Sequence, residues 1–290
     1  MGNTQKGKMT SSTKKIQRRS SSIIMGVALL GILALPSPGY PEGESELAKQ
    51  TQNPVADLIS IPFQNNMNFG LEPNHRMQNV LNIQPVIPFN LSDNWNLITR
   101  TIMPIIKQPD LRTTSDDTWG LEDINISLFL SPAKSEGLIW GLGPVLQFPT
   151  GTDEVLSSRK WAAGPAGVGL FMHGPWVIGL LANNLWSYAG NNDRKDVSQF
   201  LAQYFVNYNL PDAWYLTSSP IITANWEAEG NGNKWTAPVG GGFGKVFRIG
   251  KLPFNGNVSA FANVVRPDAG PDWAFRIQLA LLLPKSLFSN

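Results

Sequence analysis

Apolar and polar residues alternate with a period of two along most of this 290-residue chain. Between Trp214 and Glu227 the two alternating strings differ sharply. One is Leu216, Ser218, Pro220, Ile222 and Ala224, and the other is Thr217, Ser219, Ile221, Thr223 and Asn225. A largely apolar string beside a largely polar one is typical of a β-strand whose two faces meet different surroundings. The pattern therefore predicts long strands, with a tryptophan near each end of this one, Trp214 and Trp226.

Twelve segments share this alternation. They are 57–70, 78–91, 95–108, 119–132, 137–149, 161–173, 176–188, 197–210, 214–227, 234–248, 253–265 and 273–283. The connections between these segments alternate between short turns and longer, charged loops. The long loops are 71–77, 109–118, 150–160, 189–196, 228–233 and 266–272. An even strand number with this loop pattern is typical of outer-membrane barrels, which close because hydrocarbon offers no partner for a strand edge. We therefore predict an all-β fold, a twelve-stranded antiparallel transmembrane β-barrel of the outer-membrane type, over residues 57–283.

Tryptophan positions favour the same fold. All ten lie near predicted strand ends: Trp95, Trp119, Trp140, Trp161, Trp176, Trp186, Trp214, Trp226, Trp235 and Trp273. Amphipathic rings concentrate at the two headgroup levels of a membrane, so we predict two aromatic girdles. A strand of this length rises about 40 Å, and its tilt reduces that to about 30 Å along the membrane normal. A secreted soluble β-sandwich also alternates, but it requires neither the girdles nor the loop pattern.

Two features conflict with a regular barrel. Prolines lie inside seven predicted strands: Pro62, Pro85, Pro88, Pro104, Pro144, Pro165, Pro220 and Pro238. Each proline removes a ladder donor, so we expect bulges there. In addition, Arg100 shares its face with Ile98, Ile102 and Ile106. That combination implies either a mostly apolar local lumen or a register break near Pro104.

The N-terminus has the layout of a secretory signal peptide over residues 1–39, with cleavage near Gly39. Six basic residues precede the 13-residue apolar run Ile23–Leu35, which is shorter than the roughly 20 residues of a membrane-spanning helix. We expect export to the outer membrane of a Gram-negative cell. The remaining chain holds 17 basic and 21 acidic residues and no basic stripe, so we expect no nucleic-acid partner. We predict that residues 40–56 form a short periplasmic N-terminal segment with a helix at 45–50. Residues 284–290 are predicted to form a C-terminal tail.

The chain offers little chemistry for catalysis. It has no cysteine and two histidines, His75 and His173, which fall at opposite ends of the predicted barrel. The glycines of GGGFGKV (240–246) do not match a phosphate loop and read as a thinned barrel strand. We expect no metal, no cofactor and no enzymatic activity. A lipid-modifying barrel enzyme would need a serine–histidine pair at the outer rim, where only His75 is placed.

The predicted inner faces are rich in amides. Candidate pore-lining residues are Gln64, Asn66, Asn82, Gln84, Gln203, Asn207, Thr223, Asn225 and Asn263, with Arg100 and Arg276. Amides both donate and accept hydrogen bonds, which suits small neutral polar solutes; equally, they could bond to one another in a narrow barrel. The arginines are expected inside because a guanidinium facing lipid near mid-bilayer costs about 2–4 kcal/mol. Asp123 and Glu227 are expected at the outer rim, screened by water.

Four segments carry a resemblance to a known family. They are ELAKQTQNPVADLISIPFQNN (46–66), VLNIQPVIPFNLSDNWNLITRTIMPII (80–106), GPWVIGLLANNLWSYAG (174–190) and FVNYNLPDAWYLTSSPIITANWEA (205–228). They resemble a bacterial outer-membrane transporter family whose members are named after a phenol meta-degradation pathway or, misleadingly, "neuromedin U". The resemblance covers nearly all of the chain after the leader. It implies an outer-membrane barrel channel and supplies no substrate or catalytic residues.

The sequence therefore predicts an outer-membrane channel for passive passage of small solutes, neutral or mildly anionic. An outer-membrane enzyme acting on lipid and a structural barrel without flux remain as alternatives. The expected partners are outer-membrane lipid, the barrel-assembly machinery and small solutes. Many outer-membrane proteins end in an aromatic residue, whereas this chain ends in Asn290, so its recognition by the assembly machinery departs from that pattern.

Overall fold

The computed structural model describes residues 42–135 and 137–283. The predicted signal peptide, its cleavage site and the tail 284–290 lie outside the described residues. Within them, one antiparallel sheet takes up most of the chain. Its last strand pairs with its first, from Ile59 opposite Leu283 to Phe69 opposite Trp273. The sheet is therefore closed into a barrel.

One helix precedes the barrel, α1 (Glu42–Thr51). The strands follow in chain order as β1 (Ile59–Leu71), β2 (Arg76–Ile83), β3 (Val86–Asn90), β4 (Trp95–Pro109), β5 (Asp117–Leu121), β6 (Ile124–Pro132), β7 (Leu138–Phe148), β8 (Lys160–His173), β9 (Trp176–Gly190), β10 (Ser198–Asn209), β11 (Trp214–Ser218), β12 (Ile221–Asn225), β13 (Trp235–Ile249), β14 (Leu252–Val265) and β15 (Trp273–Leu283).

These fifteen segments make twelve barrel strands because three strands are interrupted. β2 and β3 pair with β4 in one continuous register, and β11 and β12 do the same with β10. β5 and β6 also share β4 as their partner. From the pair Ile105–Leu121 to the pair Ile102–Asn125, β4 advances three residues and its partner strand four. The extra residue is a bulge at Glu122–Asp123. The prediction of a twelve-stranded antiparallel barrel is confirmed.

The bulges expected at the prolines are mostly absent. Pro238 coincides with a register shift, and Pro104 lies opposite the bulge at Glu122–Asp123, while Pro85 and Pro220 fall in gaps of interrupted strands whose register is unchanged. The expectation is wrong at Pro62, Pro88, Pro144 and Pro165, which keep a regular register. The carbonyl of a strand proline still accepts a bond, as Pro104 O does from Glu122 N at 2.9 Å. At Pro62, Pro88, Pro144 and Pro165 the missing backbone N–H therefore removes one inter-strand hydrogen bond without shifting the register of the strand pair.

The two faces of the strands have opposite character. On the outer face, large apolar side chains are exposed, such as Leu216 at 52% and Phe243 at 50%. Their neighbours on the inner face are polar and covered, such as Thr217 and Gln64, which are 7% and 6% exposed. This is the reverse of a soluble protein. It is the arrangement that lipid outside and a polar interior require of a barrel wall.

The inner face is divided into two walls. The first, the apolar wall, is formed by buried inward residues of β4 and β6–β10: Ile98, Phe129, Val145, Ala162, Ala166, Val168, Leu170, Val177, Leu181, Leu185 and Phe205. The second, the amide wall, comes from β1–β3 and β10–β15. Its members include Gln64, Asn66, Gln84, Gln203, Asn207, Thr217, Asn255, Asn257, Ser259 and Gln278. Against β2 and β3 the register of β4 is regular across Pro104, and the bulge opposite Pro104 adds its residue to the partner strand, so an apolar local lumen explains the isoleucines beside Arg100.

The N-terminal segment, residues 42–56, closes down on the end of the barrel where the short turns lie. Its helix is longer than the predicted 45–50. Ala48 is 1% exposed and packs against Ala213 in the β10–β11 turn and Val246 of β13. Further along, Val55 is 5% exposed and packs into the apolar wall. The segment thus reaches inside the barrel. Among the described residues, no helix has the length and apolar character needed to cross a bilayer.

Candidate functional site

The residues predicted to line the pore all lie on the inner face. Gln64 stands between Asn82 and Gln278 on the neighbouring strands, and Asn66 stands beside Arg276. The register carries the same face around the barrel to Gln84, Arg100, Gln203, Asn207, Thr223, Asn225 and Asn263. Their position follows from the strand pairing; a role in conduction stays a prediction.

The two predicted arginines have different surroundings. The guanidinium of Arg276 donates from Nε to Asn66 Oδ1 at 2.9 Å and from Nη1 to Ser219 O at 3.0 Å. It also stacks 4.8 Å from the ring centre of Phe261. Because Ser219 lies on the connection between β11 and β12, three strands away, Arg276 is a strut across part of the lumen. These three contacts hold its side chain in place, and the residue is 7% exposed.

Arg100, by contrast, has one hydrogen-bond partner within residues 42–135 and 137–283. Its Nη2 donates to Gln84 Oε1 at 2.7 Å, and among the described residues no carboxylate pairs with it. The guanidinium has five N–H donors in a planar fork, so most of them have no protein acceptor. The strand places this side chain inside the barrel between isoleucines, where no described residue serves as its counter-ion.

Two cavities occupy the lumen, and both touch Arg100. The inner cavity, about 170 Å³, lies toward the short turns and is lined by the N-terminal segment, by Gln64 and Gln203, and by Asn257. The outer cavity, about 470 Å³, lies toward the long loops and is lined by Asn183, Gln199 and Lys234 among others. Among the described residues that line either cavity there is no carboxylate. The only formal charges on them are positive.

The N-terminal segment is bonded to the amide wall. Gln52 and Asn209 exchange two amide hydrogen bonds, at 2.9 and 3.2 Å. Asn255 Nδ2 donates to Thr51 Oγ1 at 2.8 Å, while its Oδ1 accepts from the hydroxyl of Tyr215 at 2.7 Å. Periodicity does not predict this contact, although the polar residues Thr51, Gln52 and Asn53, at the end of the helix and just after it, indicate polar partners for the segment. The segment narrows the short-turn mouth.

Tyr215 illustrates why β13 is rich in glycine. Its ring lies against Gly244 on the inner face, where an added Cβ would collide with the phenol. Gly244 therefore makes room for the hydroxyl that bonds to Asn255, and the interpretation of this stretch as a thinned barrel strand is confirmed by β13.

Asp123 is buried, so the expectation that water screens it at the rim is wrong. Its residue exposure is 5%. Its carboxylate accepts bonds from Gly151 N, Ser157 Oγ, and the backbone N and Oγ of Ser158, at 2.6 to 3.1 Å. Asp123 has the inward parity of Asn125 and Ser127, and its carboxylate holds the loop after β7 against the barrel. Periodicity gives no sign that a loop folds over a residue at a strand end, so it does not predict this burial.

Ion pairs order the rim formed by the long loops. Lys160 Nζ lies 3.0 Å from Asp196 Oδ1, and this hydrogen bond holds the pKa of the Asp196 carboxyl below its usual value. In the 109–118 loop, hydrogen bonds from Arg112 lower the pKa of Asp110 to about 2. Both carboxylates stay charged at neutral pH. The rim charges are thus mutually paired, whereas Arg100 deeper inside is not.

All ten tryptophans project from the outer face near strand ends. Nine are between 37% and 63% exposed, and Trp140 is half-buried. Trp226 Nε1 donates to the outward Asn184 Oδ1 at 2.9 Å. Lys107 and Lys245 lie over the rings of Trp119 and Trp214, at 5.6 and 4.9 Å from their centres. Rings with exposed faces and polar partners at the strand margins have the surroundings that a headgroup girdle needs.

His75 lies in the turn between β1 and β2, with Nδ1 3.3 Å from Glu72 Oε1. Among the described residues it bonds to no serine, and no group of three or more potential ligands could hold a metal ion.

No protein-family model and no curated protein matches the chain. Solved structures match its fold. An outer membrane channel from Pseudomonas putida F1 aligns with a TM-score of 0.59 at 16% identity, over 78% of this chain and 94% of the channel. The NanC porin aligns with a TM-score of 0.50 at 9% identity, over 77% and 100%. Outer membrane phospholipase A from Escherichia coli reaches 0.43 at 12% identity, over 83% and 98%. At these identities the likeness shows the fold alone. The chain has the closed antiparallel barrel of outer-membrane proteins.

Proposed function

We propose that this chain is an outer-membrane channel that passes small solutes passively, neutral or mildly anionic ones in preference to cations. One observation carries the proposal: two cavities meet at Arg100, and their described lining contains amides and cations but no carboxylate. Amides replace part of a solute's hydration by both donating and accepting. Positively charged groups along a pore favour anions.

Several features support the location. The exposed apolar residues of the outer face and the tryptophans at strand margins suit outer-membrane lipid. The barrel shared with an outer membrane channel and the resemblance to an outer-membrane transporter family fit the same role. Neither names a solute for this chain. Insertion would require the barrel-assembly machinery and the signal peptide predicted from residues 1–39.

Planar-bilayer recording tests the proposal. The chain without its leader should give discrete conductance steps in potassium chloride, after fractionation and a semi-native gel show a heat-modifiable outer-membrane barrel. Absence of current from a protein that passes both folding checks would contradict the channel.

A barrel without flux is the second candidate, because the N-terminal segment stands in the short-turn mouth. A variant lacking residues 42–56 separates the two. The channel proposal expects current from both proteins, with larger steps from the shortened one. Current from the shortened protein alone would favour a barrel that is closed in its resting form. An enzymatic role has weaker support, since His75 has a carboxylate neighbour and no bonded serine.

A further inference from the structure

Arg100 lies at the junction of the two cavities and has an unusual set of contacts. Its guanidinium is held by Gln84, whose oxygen accepts from Nη2 and fixes the orientation of the fork. Gln84 itself is 6% exposed. Nε and Nη1 form no hydrogen bond with a described residue. Nη2 keeps a second N–H, which together with Nη1 or with Nε forms an edge of the rigid fork that matches the two oxygens of a carboxylate.

Burial without a partner is costly for a charged group. An ionised side chain removed from water normally has a counter-ion, and its desolvation penalty is several kcal/mol otherwise. The strut Arg276 avoids this cost through Asn66, Ser219 and the ring of Phe261. Arg100 is half-buried, its one acceptor among the described residues is the Gln84 oxygen, and it lines both cavities. An anion entering the lumen would complete its coordination.

The outer cavity beside Arg100 is amphipathic. Its lining includes Ile102, Val145, Leu185 and Leu201, which extend the apolar wall toward the long loops. Its volume of about 470 Å³ is within the range of pockets that enclose small organic molecules. A hydrated inorganic ion would leave the four apolar side chains without a contact. An anion that carries a short apolar body would use both parts of the lining.

We propose that the outer cavity is a binding site for short aliphatic monocarboxylates, with the carboxylate on Arg100 and the chain against Ile102, Leu185 and Leu201. Two cations, Arg100 and Lys234, line this cavity, and the carboxylate is assigned to Arg100 because its planar fork can bond to both oxygens of one carboxylate. This inference rests on the proposed channel function, because the site lies on the path that solutes would take. It adds that passage of such anions is saturable.

Isothermal titration of the detergent-solubilised chain tests the site. The probes are acetate, butanoate and hexanoate, with hexanamide as the uncharged match of hexanoate. Affinity should rise about fourfold for each methylene buried, and hexanamide should bind at least tenfold more weakly than hexanoate. Equal affinity for hexanoate and hexanamide, or no gain from acetate to hexanoate, would overturn the proposal. This comparison needs no variant, so it does not depend on any substituted barrel folding.

Variants then assign the site to Arg100. Arg100→Gln should weaken hexanoate binding at least tenfold, and Arg100→Lys should fall between Gln and wild type because it keeps the charge and loses the fork. Lys107→Gln, which removes a cation from the lipid side of the same strand, should bind like wild type. An unchanged affinity in a heat-modifiable Arg100→Gln barrel would overturn the assignment.

Potassium chloride conductance of the same preparations separates this inference from the channel proposal. Conductance without carboxylate binding would refute the site and leave the channel. Carboxylate binding without conductance would refute the channel and leave the site.

Discussion

The apolar wall and the amide wall of this barrel differ in packing and in what they contact. The apolar wall packs Phe129, Ile98 and Leu170, all at 0% exposure, against one another as a soluble core does. The amide wall faces the cavities, and its side chains bond to each other, to Arg276 and to the N-terminal segment. The apolar wall therefore fills one side of the lumen and stabilises the barrel, while the amide wall borders the cavities on the other side. A membrane barrel need not have a uniformly polar interior.

The largest expected effect is a difference in unfolding free energy between a substitution in the apolar wall and one in the amide wall. Phe129→Ala should lower the free energy of unfolding by about 3–5 kcal/mol, because it removes a fully buried ring and leaves a cavity. Thr223→Ala on the amide wall should cost less than about 1 kcal/mol. Denaturant titration of barrels refolded in lipid vesicles, followed by tryptophan fluorescence, measures both. Equal costs would show that the two walls do not differ in packing.

A second prediction concerns the strut. Arg276→Gln should lower the free energy of unfolding by about 2–3 kcal/mol, because hydrogen bonds from a charged group to Asn66 and Ser219 are lost. The same denaturant titration gives the value. Arg276→Lys retains the charge but cannot form both bonds, so it should recover only part of the stability. Full stability in Arg276→Gln would mean that the strut is dispensable.

The smallest effect concerns the N-terminal segment. Gln52→Ala removes the paired amide bonds to Asn209 and should weaken docking of the segment by about 1 kcal/mol. In single-channel records we expect more frequent transitions to a larger conductance. Ser45→Ala, also in α1, is the control, since this exposed serine forms no side-chain hydrogen bond among the described residues and does not line the inner cavity. Identical records from both variants would contradict docking through Gln52.

Much of this fold could be predicted from the chain alone. Period-two alternation assigns a face to each residue, so Leu216 outside and Thr217 inside follow from the pattern, and the turn spacing yields the strand number. The contacts that side chains make across the lumen cannot be predicted from this alternation. Arg276 reaches Ser219, 57 residues away in sequence, through the tilt and depth of strands that periodicity does not encode.

The candidate site was predicted as a set of inward residues but not as an arrangement. Arg100 and Arg276 look equivalent in sequence, since each is a lone arginine on an inward face. Their difference comes from neighbours on other strands: Phe261 and Asn66 surround one, and two cavities border the other. The burial of Asp123 comes from Gly151, Ser157 and Ser158, which fold over the strand end and bond to its carboxylate, and alternation along a strand does not encode such a cover.

The most direct test of the account is the reversal potential in a potassium chloride gradient, measured for wild type, Arg100→Gln and Arg276→Gln. The account predicts an anion-selective wild type, a reversal potential near zero for Arg100→Gln, and nearly wild-type selectivity for Arg276→Gln. A cation-selective wild type, or an Arg100→Gln channel with unchanged selectivity, would contradict it.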